Sequence, residues 1–516
     1  MQTKILWADD EIDLLKPHIL FLESKGYSVA TANNGSDAIE MSQSSNYDIV
    51  FLDENMPGLS GLDALLKIKE LNATLPVVMI TKSEEESIME EAIGSKISDY
   101  LIKPVHPNQL LLCLKKNLKG KSLIHQKTDS NYQQEFRSLA QQIDYCDSIQ
   151  EWIEIYKKIV YWELELGQDS GLAEVLTSQK KEANDLFARF VENNYSDWLV
   201  HASGAPLMLH HLIKQKIAPE LPSQKTVVLL IDNLRYDQWL VLKPIFSNYF
   251  TVQTEEIALS ILPTTTHYAR NAFFAGLMPL EIQKMHPNYW TTEEEDGGRN
   301  NFEKELLELN LKRLGKTCKL GYYKITNLEA GKKLVDSFSQ LNSNDLNVIV
   351  YNFVDMLSHA RTEMDIIKEL ADDEAAYRTL TAAWFEHSPL LEMVRKIAKM
   401  KARLFIATDH GSVKVTNSIK IIGEKATNSN LRYKVGRNLS YNEKDVFAVR
   451  DPKSIHLPHS SVSSEFVFAR KNDFFVYPNN YNHFVKYYMN TFQHGGVSLE
   501  EMLVPFVELK PKSNGV

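Results

Sequence analysis

The chain is poor in cysteine, glycine and proline. Of its 516 residues, three are cysteine, 21 glycine and 18 proline. The cysteines, Cys113, Cys146 and Cys318, lie far apart, which excludes a disulfide framework or a CxxC zinc knuckle and predicts a reducing, cytoplasmic location. The low glycine and proline content favours long helices over a turn-rich all-β architecture.

Long hydrophobic runs and excess positive charge are also lacking. No apolar run approaches the ~18 residues that span a membrane, and acidic residues at positions 9–11 stand where a signal peptide has its apolar stretch. We therefore expect no membrane insertion. The formal net charge of −10 opposes attraction to nucleic-acid phosphates, and no helix-turn-helix with a basic face is evident, so direct duplex DNA binding is not expected.

The length is that of roughly three domains of ~150 residues each. Short apolar runs alternate with helical patterns over residues 1–118, which predicts a (βα)5 domain with a parallel sheet. A polar stretch, residues 119–132, indicates a linker that acts as a hinge. Residues 133–222 carry apolar side chains at helical spacing, which predicts a helical-bundle middle domain. These side chains are Ile149, Trp152, Ile153, Tyr156, Ile159 and Val160.

The βα alternation resumes in a third domain, residues 223–516. Three of its strand patterns, VVLLIDN, NVIVYNFVD and RLFIATDHG, end in Asp232, Asp355 and Asp409. Because ligands bind at the carboxyl ends of parallel strands, we expect these three acids to converge. Residues 411 to about 480 are polar and irregular, and we interpret them as an insertion.

A second cluster of strand-end residues is predicted in the first domain. Asp9 and Asp10 follow its first strand, Asp53 ends the third, Thr81 ends the fourth and Lys103 follows the fifth. Carboxylates grouped in this way favour Mg²⁺, which prefers oxygen ligands. Asp53 would then accept a phosphoryl group whose oxygens contact Lys103 and Thr81. The Mg²⁺ ligands would be Asp9, Asp10, Asp53 and a backbone carbonyl near Asn55.

This pattern resembles the receiver domain of bacterial response regulators, which has a CheY-like, flavodoxin-like fold. The motifs DDE, LDENMPGLSGLDAL, ITK and YLIKP occur in register over about 118 residues. The resemblance implies that Asp53 is the phosphoacceptor and that a cis peptide joins Lys103 to Pro104. It also implies that Thr81 and Tyr100 form a coupled switch pair.

The third domain offers further candidate metal ligands. Asp355 and His359 are four residues apart, so on a helical turn they point to one side. His410 adjoins Asp409, and His494 lies in the segment HGGVSLEEMLVPF. Such nitrogen and oxygen donors suit Zn²⁺ or Mn²⁺.

The segment ILPTTTHYARNAFFAGLMP supplies candidate nucleophiles. The threonines at 264–266 stand at a predicted helix N-terminus, whose unpaired N–H groups and dipole favour an anionic phosphate. The pattern itself does not decide which of Thr264, Thr265 and Thr266 is the nucleophile. Arg270 and Asn288 are candidates for contacting the substrate phosphate.

Residues 225–510 resemble the alkaline phosphatase superfamily and, within it, the PglZ family. The shared motifs are PTxT, DxxxH, DHG and HGGxSxEExxVP, in this chain order. The resemblance implies two metal ions, Thr266 as the nucleophile between them, and two-step phosphoryl transfer. Because the extra arginine and third metal of monoesterases have no equivalent here, diesters are the expected substrates. The implied ligand sets are Asp232, Thr266, Asp409 and His410 for one ion and Asp355, His359 and His494 for the other.

Taken together, the three domains resemble the PorX type of response regulator from Bacteroidetes. That resemblance implies control of type IX secretion, a sensor histidine kinase of the PorY type, an alternative sigma factor and a cytoplasmic secretion component as partners, and a homodimer on phosphorylation. One hypothesis is a signal-controlled phosphodiesterase for nucleotides or oligonucleotides. The other is a phosphorylation-controlled docking platform with little or no catalysis. The complete ligand set with its nucleophile favours the first.

Overall fold

The computed structural model describes most of the chain, in two compact units: Met1–Gln133 and Gln134–Val516. Among the described helices, none is long and apolar enough to cross a membrane. The described residues are 3–72, 75–82, 97–166, 171–201, 204–291, 300–355, 373–424, 427–459 and 463–512.

The first unit contains a five-stranded parallel sheet in the order β2-β1-β3-β4-β5. Side chains alternate across it: Ile5 and Trp7 of the first strand join the hydrophobic cluster on one face, and Leu6 and Ala8 join the cluster on the other. The predicted α/β class of this unit is confirmed. Its strands are β1 (Lys4–Ala8), β2 (Ser28–Ala32), β3 (Ile49–Asp53), β4 (Val77–Thr81) and β5 (Asp99–Ile102). Its helices are α1 (Lys16–Ser24), α2 (Gly35–Ser44), α3 (Gly61–Leu71) and α4 (Pro107–Tyr145).

The polar stretch 119–132, interpreted as a linker, has a helical backbone. It lies inside α4, and the division between the two units falls within the same helix. The stretch has one glycine, Gly120, and no proline. Lysine, leucine and glutamine propagate a helix well regardless of their exposure, so a polar composition was a poor indicator of a break.

Two long helices of the second unit, α5 (Ile149–Glu165) and α6 (Gly171–Val200), form the predicted helical region. Ser148 and Glu151 form a capping box that starts α5. The six residues that predicted this helix are all buried. The helical region belongs to the same compact unit as the C-terminal residues.

The core of the second unit is a mixed six-stranded sheet in the order β7-β18-β10-β6-β9-β8. β10, β6, β9 and β8 are parallel neighbours, and β18 runs antiparallel to both β10 and β7. The strands are β6 (Thr226–Ile231), β7 (Phe250–Leu259), β8 (Leu320–Ile325), β9 (Leu346–Tyr351), β10 (Arg403–Ala407) and β18 (Leu503–Pro511). The helices are α7 (Tyr236–Ser247), α8 (Thr266–Ala275), α9 (Pro279–Met285), α10 (Glu303–Arg313), α11 (Leu328–Asp336), α12 (Glu374–His387) and α13 (Pro389–Lys399).

The residues interpreted as an insertion form small sheets outside the six-stranded one. β12 pairs with β16, β15 lies between β13 and β14, and β11 pairs with β17. Each of these strands is two to five residues long, too short for a clear periodicity. Their bounds are β11 (Val413–Lys414), β12 (Asn417–Lys420), β13 (Tyr433–Gly436), β14 (Val446–Val449), β15 (Glu465–Ala469), β16 (Asp473–Val476) and β17 (Phe492–Gln493). The remaining helices are α14 (Tyr481–Tyr488) and α15 (Leu499–Met502).

Gly61, the first residue of α3, provides a test of the first unit's packing. A Cβ atom at this position would lie 2.2 Å from the carbonyl oxygen of Asp53. Gly61→Ala should therefore destabilise the unit by about 1–3 kcal/mol, the usual cost of overpacking. Faster hydrogen–deuterium exchange of peptides from β3 and α3, measured in the full chain, would report this. Lys67→Ala, at an exposed position of α3, is the matched control and should change exchange little.

Candidate functional site

The carboxyl edge of the first sheet gathers three carboxylates. One oxygen each of Asp9, Asp10 and Asp53 lies within 4.8 Å of the others. Asp9 and Asp53 are buried, whereas Asp10 is exposed. Their close spacing and oxygen chemistry fit a divalent cation such as Mg²⁺. Asn55 lies exposed in the loop after β3.

Lys103 neutralises part of this cluster. Its Nζ lies 2.8 Å from Asp9 Oδ2 and 2.7 Å from Asp53 Oδ1. Burial raises the pKa of Asp53 above its ordinary value, although Lys103 opposes the effect. Burial also acts to lower the pKa of Lys103, but its hydrogen bonds to Asp53 and Asp9 outweigh burial and raise it. The peptide bond to Pro104 is cis, as the resemblance implied.

The Thr81 hydroxyl donates a hydrogen bond to the carboxylate of Glu54, the residue that follows Asp53. Both side chains are buried, whereas Tyr100 is 41% exposed. Sequence reasoning missed Glu54. Its place next to the candidate phosphoacceptor was the one available signal.

At the carboxyl edge of the second sheet, two adjacent parallel strands, β6 and β10, bring candidate ligands together. Asp232 follows β6, and Asp409 and His410 follow β10. One donor atom from each lies within 4.8 Å of the others, and all three side chains are essentially inaccessible to solvent. Asn233, at a positive φ of 62°, donates its N–H to Asp409 Oδ1 at 3.2 Å.

The electrostatics of this cluster fit a bound cation. Burial together with the Asp232 charge raises the pKa of Asp409 well above its ordinary value. Burial would also raise the pKa of Asp232, but Arg270 and His410 outweigh it and lower the pKa. Among the described residues, Asp409 Oδ2 accepts no hydrogen bond. A divalent ion bound by these carboxylates and the imidazole would compensate this charge, and Zn²⁺ matches the donor set.

Among the threonines at 264–266, Thr266 places its hydroxyl next to the cluster of Asp232 and His410. Helix α8 begins at Thr266, whose Oγ1 lies 3.3 Å from Asp232 Oδ1 and 3.2 Å from His410 Nε2. Thr264 Oγ1 instead donates to Gly496 O and accepts from the Gly495 N–H. The buried Thr265 hydroxyl has no hydrogen-bond partner within the described part of the chain.

The second predicted ligand set adjoins the first. The rings of His410 and His494 stack with centroids 4.2 Å apart. His494 Nε2 lies 3.6 Å from Asp355 Oδ1, and its Nδ1 lies 3.2 Å from the Thr264 carbonyl oxygen. His359 lies outside the described residues. Asp355 and His494 thus join the buried cluster at the same edge of the sheet.

Arg270, a candidate for contacting the substrate phosphate, is buried against two carboxylates. It is 2% exposed, and its guanidinium contacts Asp232 at 2.8 Å and Glu303 at 2.6 Å. Its observed role is therefore to hold the Asp232 carboxylate, a role that sequence reasoning missed together with Glu303. Asn288 lies on an exposed turn, Pro287–Tyr289, rather than in the buried cluster.

Two more glutamates that the sequence analysis left without a role follow His494. Glu501 is completely buried and bound by Arg432, with 2.5 Å between Arg432 Nη2 and Glu501 Oε2. It also accepts the Gly496 N–H at 2.9 Å. Glu500 faces the helical region, where it pairs with Lys180 at 2.9 Å. The acids of the motif thus fix the loop that carries His494.

Three family models match the chain. Residues 212–509 match the BREX system PglZ alkaline phosphatase-like domain, residues 122–199 the PorX response regulator linker domain, and residues 5–115 the response regulator receiver domain. The first match covers more than half of the chain.

Curated relatives share a shorter segment. The transcriptional regulatory protein ResD of Bacillus subtilis is 35% identical over 121 residues, which are 23% of this chain and 50% of ResD. The transcriptional regulatory protein SrrA of Staphylococcus aureus is 31% identical over 115 residues, 22% of this chain and 47% of SrrA. The chain thus spans about half the length of these relatives.

Solved structures match over a similar share of the chain. The Vibrio cholerae chemotaxis protein CheY4 is 27% identical, with a TM-score of 0.22, and the match covers 23% of this chain and all of CheY4. A two-component response regulator from Clostridium difficile is 35% identical, with a TM-score of 0.22, over 23% of this chain and 97% of that one. From its family matches, the chain belongs to the PglZ alkaline phosphatase-like family and combines a receiver, a linker and a PglZ domain in the PorX-type architecture.

Proposed function

We propose that this protein is a cytoplasmic response regulator, phosphorylated on Asp53, whose PglZ domain is a metal-dependent phosphodiesterase for nucleotides or oligonucleotides. The observation that carries the enzymatic part is the Thr266 hydroxyl, 3.2–3.3 Å from His410 and Asp232 in a buried cluster. A pure docking platform gains nothing from a hydroxyl aimed at buried carboxylates. The three cysteines, all free thiols, agree with a reducing compartment.

Each proposed ligand among the described residues has a positioned side chain; His359 lies outside them. Asp232, Asp409 and His410 would hold one ion together with Thr266, and Asp355 and His494, with the predicted ligand His359, would hold the other. Burial lowers the pKa of His410 and so favours its neutral form, which is the form that binds metals. Zinc supplies Lewis-acid stabilisation of the phosphoryl oxygens and favours ionisation of a nearby hydroxyl.

The residues of this chain support a two-step displacement. The Thr266 hydroxyl gives up its proton to solvent as its Oγ attacks phosphorus, and the P–O bond to one ester group breaks, so that this group leaves as an alkoxide and takes up a proton. Water then cleaves the bond between Thr266 Oγ and phosphorus, which restores the hydroxyl and releases a phosphomonoester. The first turn of α8 presents backbone N–H groups to the phosphate. Arg270 restrains Asp232 through its ion pair. A direct contact of Arg270 or Asn288 with the substrate stays a prediction.

The receiver supports control by a sensor histidine kinase, since this is the usual phosphodonor of response regulators. Lys103 faces Asp53 at 2.7 Å and can neutralise incoming phosphate charge. The PorX-type architecture supports a role in type IX secretion, with an alternative sigma factor and a cytoplasmic-side secretion component as partners.

Asp53→Ala should abolish phosphorylation by a small phosphodonor with Mg²⁺, because it removes the attacking carboxylate. Acid-labile phosphate on the purified full chain is the measurement. Asp13→Ala, which removes an exposed carboxylate paired with Lys16, is the control and should be phosphorylated normally. Wild-type labelling of Asp53→Ala would exclude Asp53 as the acceptor.

Phosphorylation should produce a dimer. A phosphoryl group adds ~1.5–2 negative charges, and Thr81 must leave Glu54 to contact it, which frees space for the exposed Tyr100 to bury and changes the surrounding surface. Light scattering with beryllofluoride, a phosphoryl mimic, should report a doubled mass for the wild type and an unchanged mass for Asp53→Ala. An unchanged wild-type mass at micromolar protein contradicts this prediction.

Thr266→Val should reduce diester hydrolysis by at least ~10³-fold while retaining bound metal, because it removes only the nucleophile. Asp355→Ala should lose both hydrolysis and one metal ion. Thr265→Val, which removes the unpaired neighbouring hydroxyl, is the matched control and should stay active. Hydrolysis rates and metal content of the same preparations measure both effects.

The pattern of losses also separates the alternatives. An inactive Thr265→Val beside an active Thr266→Val would move the nucleophile to Thr265. Wild-type hydrolysis in Thr266→Val, Thr265→Val and Asp355→Ala alike would mean that the activity does not arise at this site, which would favour the docking-platform function. A wild type that cleaves monoesters faster than diesters would overturn the proposed substrate class.

A further inference from the structure

One face of helix α6 binds the loop that carries His494. Lys180 and Asn184 are four residues apart and therefore lie on the same side of the helix. Lys180 Nζ lies 2.9 Å from Glu500 Oε1, and Asn184 donates to Glu500 Oε2 at 3.0 Å. Asn184 also accepts the Leu499 N–H at 2.7 Å. Two side chains of α6 thus hold both the side chain and the backbone of this segment.

Glu500 in turn packs against the residue next to His410. A Cβ atom on Gly411 would lie 2.0 Å from the Glu500 carbonyl oxygen, so the two backbones touch. The Gly411 N–H donates to the Glu501 carbonyl oxygen at 3.1 Å. Any shift of Glu500 is therefore transmitted directly to the segment that carries Asp409 and His410.

Lys180 also contacts acids on two further helices. Its ammonium lies 3.0 Å from Glu374, the first residue of α12, and 2.8 Å from Glu163 of α5. Glu374 pairs in turn with Arg235 at 3.0 Å, three residues after Asp232. The ammonium therefore contacts α5, the start of α12 and the segment that precedes β18, and through Glu374 it is linked to Arg235, which follows β6.

The contact between Lys180 and Glu500 is a buried ion pair. Lys180 is 6% exposed, and Glu500 is 1% exposed. The attraction of Glu163, Glu374 and Glu500 outweighs desolvation, so the pKa of Lys180 lies well above its ordinary value. Removing the ammonium would leave buried carboxylates short of a cation, a large cost in a desolvated environment. The carboxylates would then move or take up protons.

The match to the PglZ domain begins at residue 212, beyond Lys180 and Asn184. We infer that Lys180, together with Asn184, is a positioning residue for the PglZ metal centre, so that the helical region completes a site whose ligands all lie outside it. This inference rests on the proposed metal centre. It makes the helical region a structural part of the hydrolase as well as a connector.

The test uses zinc affinity and hydrolysis of the full chain. Lys180→Met should weaken zinc binding ~10–100-fold, the usual effect of removing a partner that orients metal ligands, and should lower diester hydrolysis. The absorption spectrum of the Co²⁺-substituted protein should change as well. Lys180→Arg keeps the charge and should recover most of the affinity. Lys181→Met removes the same charge from an exposed neighbouring position and should match the wild type.

Asn184→Ala provides a second variant if Lys180→Met fails to fold. It removes the hydrogen bonds to Leu499 and Glu500 but no charge, and it should also weaken zinc binding and alter the Co²⁺ spectrum. Wild-type zinc affinity and Co²⁺ spectrum in a folded Lys180→Met, or in Asn184→Ala when Lys180→Met is unfolded, would overturn the inference.

The zinc measurement separates this inference from the proposed function. A wild type that binds zinc but cleaves no diester contradicts the phosphodiesterase, while the affinities of the variants still decide the role of Lys180. A wild type that binds no zinc overturns both.

Discussion

Buried carboxylates at the carboxyl ends of parallel strands are the constraint on which both units depend. A parallel sheet brings strand-end residues to one edge, and burial there removes the water that would stabilise their charge. Each cluster therefore needs a cation. Lys103 supplies one in the receiver, and Arg270 supplies one beside Asp232. These cations leave the clusters only partly compensated, which is why both edges suit divalent metals.

The same constraint organises the surroundings of the second site. Glu501 is bound by Arg432 of the insertion, and Glu500 by Lys180 of the helical region. Truncating one partner of such a pair is costly, because the other charge stays buried. The small sheets and the helices thus contribute to the site by compensating charges in the loop that carries His494. This explains why the helical region and the PglZ domain form one compact unit.

Functional residues were predicted best from the sequence where they lie at the end of a strand, because the strand itself could be predicted. The apolar runs predicted the strands, and the acids at the strand ends therefore gather at the edge of their own sheet: Asp53 in the first unit and Asp232 in the second. The sequence was least informative about the side chains that bind the buried acids. Arg270 and Glu303 are 33 residues apart, and Asn184 and Glu500 are 316 apart, so no local pattern links them. The linker at 119–132 stays a prediction, but its helical backbone was not predicted, because a polar composition indicates exposure rather than backbone conformation.

The two sites differ in their access to solvent, and this suits their proposed chemistries. The receiver cluster includes the exposed Asp10, and Lys103 retains 15% of its side-chain exposure, so a metal ion and a phosphodonor can reach Asp53. In the PglZ domain, Asp232, Asp409 and His410 are at most 1% exposed. A metal ion bound there would be enclosed by the protein, as is usual for a permanently bound cofactor. Asp355 and His494 are more exposed and would face the incoming diester. The side of the site formed by Asp355 and His494 is therefore the one through which a substrate would enter. The geometry of the enclosed side depends on Arg270 and on the contact between Gly411 and Glu500.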